Sequence, residues 1–216
     1  TQRGGSIPRE VLLANLWPDM PEEAARHNLY TAVHNLRRCL EPNLKRATDS
    51  RYVLYDDYSY RLNGGIAHWV DAQAFETGIR HARHEPALAR ATALYADALS
   101  LYHGDFLSHL GNTIGWHWQE QERLRTLYLH ALEAYAGLLV RQQQLDAACQ
   151  ALEIVLAQDP CRETACYLLM QARWQQGQRA LALASYQRLS AALQTELGVS
   201  PEAQTRAFYV RIANGA

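Results

Sequence analysis

The sequence predicts a mainly α chain with one small β element, and three observations carry that expectation. Of 216 residues, 7 are proline and 12 glycine, few for this length, while Ala, Leu, Gln, Glu and Arg, which lose little on entering a helix, dominate. Apolar residues recur at helical spacing through most of the chain. Residues 51–62 break that rhythm with aromatic and β-branched residues around a turn pair.

The elements follow in order. Ser6 is placed to cap a first helix, with Pro8 in its first turn and Val11, Leu12, Leu16 and Trp17 on its apolar side, ending before Pro18. A second helix opens at Pro21-Glu22-Glu23, where acidic residues suit the helix N-terminus, and is stopped by Pro42. Its stripe of Leu29, Val33, Leu36 and Leu40 spans about 60° of the helix circumference. His27, Thr31, His34, Asn35 and Arg38 therefore face the other way. Next comes a hairpin, Tyr52 to Tyr55 and Tyr58 to Leu62 about the turn pair Asp56-Asp57, closed by Asn63-Gly64-Gly65. Seven helices are then expected, near 71–83, 87–103, 117–141, 145–158, 162–176, 179–197 and 201–213. Their breaks lie at Glu85-Pro86, Gly111 to Gly115, Asp159-Pro160, Gly177-Gln178 and Gly198 to Pro201. Short links between such helices predict stacked helical hairpins.

Gln144-Leu145-Asp146-Ala147-Ala148 aligns with Gln178-Arg179-Ala180-Leu181-Ala182 at an offset of 34 residues. That offset is the tetratricopeptide period, so the second part is expected to be a tetratricopeptide-like repeat domain. Trp69, Trp116, Trp118 and Trp174, with Tyr95, Tyr102, Tyr128, Tyr135, Tyr167 and Tyr186, are large enough to fill the space between stacked helices. Alternatively some of them line the concave groove that helical repeats offer to a partner.

The whole chain has 21 basic and 22 acidic side chains, a formal charge of −1. No chain-wide cationic field draws it to nucleic acid or membrane. Residues 24–51 are different: Arg26, Arg37, Arg38, Lys45, Arg46 and Arg51 face only Glu41 and Asp49. A basic helix preceded by a shorter one and followed by a hairpin suits entry into a major groove, with the hairpin on the backbone. Under that reading His27, Thr31 and His34 point at base edges, and Asn35 and Arg38 reach bases or phosphates. Arg26, Arg37, Lys45, Arg46 and Arg51 contact phosphates, Arg37 being equally suited to a structural ion pair.

Other chemistry finds little support. His81 and His84 stand at i,i+3 without a third ligand at a recognisable spacing, and Cys161 with Cys166 lacks a partner pair, so no metal is expected. There is no phosphate-binding glycine loop, the only lysine, Lys45, following Asn43-Leu44. No nucleophile is paired with a base at usable spacing, so neither catalytic residues nor a cofactor are expected and the chain is not read as an enzyme. The cysteines Cys39, Cys149, Cys161 and Cys166 form no CxxC pair and read as reduced thiols. With no apolar run of membrane-spanning length and no signal pattern after Thr1, the expectation is a cytoplasmic protein that does not contact membrane.

Along nearly its whole length the sequence resembles the bacterial regulators that join an OmpR-type winged helix to a bacterial transcriptional activator domain, the antibiotic regulatory protein type. In the first part the resemblance rests on Pro8 to Leu13 with Leu16-Trp17-Pro18, on Ala24 to Leu29 leading to Leu36 to Leu40, and on Tyr60-Arg61-Leu62. In the second it rests on Trp69-Val70-Asp71 with Phe75, Leu101 to Leu107, Asp159 to Glu163, and Glu196-Leu197-Gly198-Val199-Ser200-Pro201. The resemblance implies a partial winged-helix DNA-binding domain at 1–65, entered after its own start, with a β-hairpin wing. A tetratricopeptide-like activator domain is implied at 66–216. It further implies a transcriptional regulator that binds duplex DNA and touches RNA polymerase, or another regulator subunit or domain, through its repeats. A homodimer is consistent with tandem operators, although no heptad seam argues for one. The alternative is a tetratricopeptide-like interaction or sensing module of a larger signalling regulator that does not bind DNA. It is favoured by Asp56-Asp57 at the wing tip, since carboxylates repel phosphate.

Overall fold

The computed structural model describes residues 5–108 and 115–215. Gly111, where one break was expected, and the Trp116 side chain lie outside the described residues. Among them, nine α-helices and a three-stranded sheet run in the order β1 (Ile7–Pro8), α1 (Arg9–Leu16), α2 (Glu22–Leu40), β2 (Val53–Asp56), β3 (Ser59–Leu62), α3 (Asp71–His84), α4 (Leu88–Leu99), α5 (Trp118–Arg141), α6 (Leu145–Gln158), α7 (Glu163–Gln175), α8 (Arg179–Glu196) and α9 (Ala203–Asn214). The chain is mainly α. It divides into two units, residues 1–70 with 105–122, and residues 71–104 with 123–216. No helix among the described residues is long and apolar enough to cross a membrane.

In the first unit the sheet order is β1-β3-β2, with both pairings antiparallel. The role expected of Ser6 is not met. Ile7 and Pro8 pair with Tyr60 and Ser59, so the chain stays extended up to Pro8, which takes the cap position with no side chain bonding the helix end. The apolar side of α1 also differs from expectation: Leu13 is buried and Val11 exposed. On the helical wheel Leu12, Leu13, Leu16 and Trp17 form one sector, and Val11 lies 100° or more from all four.

Helix α2 has the predicted bounds. Glu22 and Glu23 occupy its first turn and Arg37 and Arg38 its last, complementing the helix dipole at both ends. Only the first half of its predicted stripe is covered. Ala25 and Leu29 join Leu13, Val53 and Tyr60 in a small core, whereas Leu36 and Leu40 remain 46% and 43% exposed. Both point to the same side as Leu29.

The hairpin turn falls one residue later than expected. Asp57 and Tyr58, at φ 44° and 56°, form a two-residue loop with both residues left-handed, the conformation that matches the twist of the flanking strands. This register sets Tyr55 opposite Tyr60 and Val53 opposite Leu62, and the rings of Tyr55 and Tyr60 pack at 4.6 Å. The main-chain N–H of Arg9 donates to the Tyr58 carbonyl at 2.9 Å, and the Arg9 guanidinium lies 5.7 Å from the centre of the Tyr58 ring.

In the second unit helices pack on sequence neighbours. Helices α3 and α4 approach so closely that a Cβ at Gly78 would lie 2.8 Å from that of Ala98. Helix α4 ends at Leu99, earlier than expected. Beyond α5 the 34-residue period is visible in the backbone. Helix α5 ends with Gln143 at φ 61° and α7 with Gly177 at φ 76°. At each end the next residue reaches back, Gln144 N–H to Leu139 carbonyl at 2.9 Å and Gln178 N–H to Arg173 carbonyl at 2.8 Å, the paired closure of a left-handed helix stop. Buried positions repeat at the same offset: Ala131 with Ala165, Ala148 with Ala182, Ala151 with Ser185, and Val155 with Leu189. The match fails at Leu139, whose counterpart is the buried Arg173. Its guanidinium donates to Glu153, and to the Ser185 hydroxyl at 2.6 Å, so the charge is paired rather than stranded.

Most of the aromatic residues fill this interior. Tyr95 is buried, Tyr102 stacks on Tyr128 with centroids 4.0 Å apart, and Tyr135, Tyr167, Tyr186 and Trp174 pack against the buried clusters. Trp69 and Trp118 do not, being 70% and 61% exposed. Trp69 precedes α3 and Trp118 is the first residue of α5, so neither sits on a packed helix face. Burial pushes the Cys166 thiol up to about 12, which makes it a small apolar filler.

Candidate nucleic-acid interface

The residues expected to read bases occupy one face. His27, Thr31, His34, Asn35 and Arg38 are all exposed, and at 100° per residue all but Asn35 fall within about 60° of one another, opposite Ala25 and Leu29. Thr31 turns its hydroxyl back to the His27 carbonyl at 3.1 Å, which leaves its methyl outward. Polar and cationic groups therefore line the free side of a helix whose other side is anchored.

The anchoring is largely polar. Arg37, half-buried, donates through Nε and Nη2 to the Val53 carbonyl at 3.1 and 2.8 Å. Of the two roles open to it from sequence it takes a structural one, as a bridge between α2 and β2. Just past the helix, the Glu41 carboxylate accepts from the Ser50 hydroxyl at 2.5 Å and from the Arg51 N–H at 3.1 Å. The Ser50 hydroxyl first, and then the backbone N–H groups, hold this carboxyl below its ordinary value. Ser50 in turn accepts from Val53 N–H at 3.2 Å, and Asn63 donates to the Arg51 carbonyl at 2.9 Å. Helix, connecting segment and hairpin are thus tied by hydrogen bonds that composition cannot reveal.

The cations differ in availability. Arg26 pairs with Glu22 one turn earlier at 2.5 Å, so its charge is offset locally. Arg38, Lys45, Arg46 and Arg51 are exposed and form no side-chain ion pair among the described residues. Arg61 joins them from β3 and was not among the predicted contacts. Its signal was present in the run Tyr60-Arg61-Leu62, where alternation places Arg61 on the opposite face from buried Tyr60. Between α2 and the hairpin lies a groove of about 650 Å³, lined among others by Tyr30, His34, Arg37, Tyr55 and Arg61. The tip carries the exposed Asp56 and Asp57.

The comparisons with known proteins bear on the whole chain. Residues 70–213 match the family model of the bacterial transcriptional activator domain. The transcriptional regulatory protein MoaR1 of Mycobacterium tuberculosis is 28% identical over 97% of this chain and 68% of its own length. The regulatory protein DnrI of Streptomyces peucetius is 29% identical over 94% of this chain and 76% of its own length. The regulatory protein AfsR of Streptomyces coelicolor is 29% identical over 98% of this chain, which spans only 20% of that relative. Among solved structures, EmbR of Mycobacterium tuberculosis, in a complex with a low-affinity phosphopeptide, superposes with a TM-score of 0.76 at 21% identity. That superposition covers 98% of this chain and 55% of EmbR, and it is a likeness of fold. The family match over residues 70–213 shows that this chain belongs to the bacterial transcriptional activator domain family.

Proposed function

We propose that the chain is a regulator of the antibiotic regulatory protein type that binds duplex DNA through a partial winged helix at residues 1–65, with α2 in the major groove and the β2–β3 hairpin as the wing. The helical repeats of 66–216 contact RNA polymerase or another regulator subunit or domain, and a homodimer on tandem sites fits the same reading. One observation carries it. The face of α2 turned away from its small core is exposed and carries the polar groups of His27, Thr31, His34, Asn35 and Arg38. The hydrogen bonds of Arg37 and Glu41 meanwhile fix the helix to the hairpin. A bidentate base-edge contact, open to Asn35 and Arg38, is worth about 1–3 kcal/mol. Arg38, Lys45, Arg46 and Arg51 supply charge for phosphates, each adding about 0.9 to the salt dependence. The competing reading, an interaction module that leaves DNA to other proteins, is favoured by the carboxylates of Asp56 and Asp57 at the hairpin tip.

Fluorescence anisotropy of the chain with mixed-sequence duplex DNA across a salt series separates the two. Under the DNA-binding reading His34→Ala weakens binding, and Arg38→Ala weakens it with a salt slope shallower by about 1. Unchanged affinity in both variants sinks the groove assignment. An absence of binding by the unaltered chain at low salt leaves the interaction module standing.

A further inference from the structure

We infer that the outward face of α3 is a second contact for the sugar-phosphate backbone of duplex DNA, carried by the helical unit and distinct from the α2 face. The inference rests on the DNA-binding reading above. Helix α3 buries Phe75, Ile79 and Ala82, and Gly78 presses on Ala98, so its rotation about its own axis is fixed. On the helical wheel Gln73, Thr77, Arg80 and His84 lie opposite that packed side, with His81 on one flank and Arg83, beside Glu76, on the other about 60° from Arg80. All but the half-buried Thr77 are exposed.

Three features point to phosphate. First, the carboxylates nearest the two arginines are engaged by other cations. Glu76 is paired with Arg123 and Glu85 with Arg90, while Arg80 and Arg83 form no ion pair among the described residues. Second, the Thr77 hydroxyl accepts from Nη2 of Arg80 at 3.2 Å, steadying that guanidinium, whose other N–H groups have no partner among the described residues. Third, no large apolar side chain of α3 or α4 is exposed. Protein–protein interfaces are centred on buried apolar anchors, which this face lacks. Backbone contacts to nucleic acid are made by Arg, Gln and Thr donors of the kind it presents. Cations near a helix C-terminus also suit the helix dipole, so the patch does not oppose folding.

The test is anisotropy of the 216-residue chain on duplex DNA over a salt series, comparing the unaltered chain, the Arg80→Ala/Arg83→Ala double variant and its Lys/Lys counterpart. Circular dichroism checks that helix content is kept. The double alanine variant should flatten the slope of log affinity against log salt by about 2, and the lysine pair should restore it. An unchanged slope and affinity in the alanine pair, alongside a response to Arg38→Ala, overturns this inference alone. No duplex binding by the unaltered chain overturns both it and the reading beneath it. If the alanine pair binds DNA normally but fails to activate transcription, the face contacts an acidic protein and the inference is likewise overturned.

Discussion

The two units of the molecule are held together by different means. Among the described residues the N-terminal unit has a core of Leu13, Ala25, Leu29, Val53 and Tyr60, and leaves Leu36, Leu40 and Leu62 at its surface. Its order comes from a short sheet and from polar bridges at Arg37, Glu41 and Asn63. The helical unit buries side chains to vanishing exposure along α5 to α9, Leu152, Val155, Leu169, Met170 and Ile212 among them. A stacked array gains stability at every interface it repeats, whereas a small unit with a thin core depends on individual hydrogen bonds. The contrast ranks the effects of substitution.

The largest loss belongs in the array. Leu169→Ala leaves a void among Leu152, Val155 and Ala165 and should cost about 2–5 kcal/mol in urea unfolding. Leu29→Ala, in the thinner core, belongs at the low end of that range, because an open surround collapses more readily. Equal losses at both sites would remove the contrast.

A polar bridge comes next. Arg37→Ala deletes two hydrogen bonds to the Val53 carbonyl and should destabilise the N-terminal unit by about 2 kcal/mol. Hydrogen exchange would show faster amides in β2 and β3 with α6 to α8 unchanged. Protection lost equally in those helices would mean that the two units unfold as one.

A smaller effect sharpens the repeat. Gly177→Ala places a Cβ at φ 76° and should cost about 1 kcal/mol. Gln143→Gly, at the equivalent stop in the preceding repeat, should gain a somewhat smaller amount. Thermal unfolding reads both, and opposite signs are the expected result.

The smallest concerns acid. The folded-state value of Glu41 lies below its unfolded one, so its contribution is present above the ordinary carboxylate range and is lost as pH falls through the lower folded value. Hairpin order, followed by hydrogen exchange, should decline below about pH 4. Glu41→Gln should start from less order and show less of that decline. An identical acid profile in the variant would exclude Glu41 as its source.

Much of the architecture was legible in the sequence, because helix stops are written in local chemistry. Pro21 and Pro42 bracket α2, and Asp159-Pro160 and Gly177-Gln178 mark the turns of the array. The residues on the outward face of α2 could likewise be read from period alone. The hairpin turn was misplaced by one residue because Asp57-Tyr58 lacks the glycine that usually marks a left-handed turn. Strand β1 escaped notice because two residues next to a proline carry no pattern, and only pairing with β3 makes them a strand.

What the sequence determined by itself was period, charge and helix stops: a basic second helix, a hairpin, and helices repeating at 34 residues, each set by contacts a few residues apart. What only the tertiary structure decided was which groups meet across the chain. Arg37 is committed to the Val53 carbonyl while Arg38 beside it stays exposed. Leu36 and Leu40 lie uncovered though Leu29 on the same side is buried. Arg173 is buried where the repeat expects an aliphatic residue, because Glu153 and Ser185 stand ready to pair it. Burial and hydrogen-bond partnership depend on residues distant in sequence, and a linear pattern holds no record of those distances.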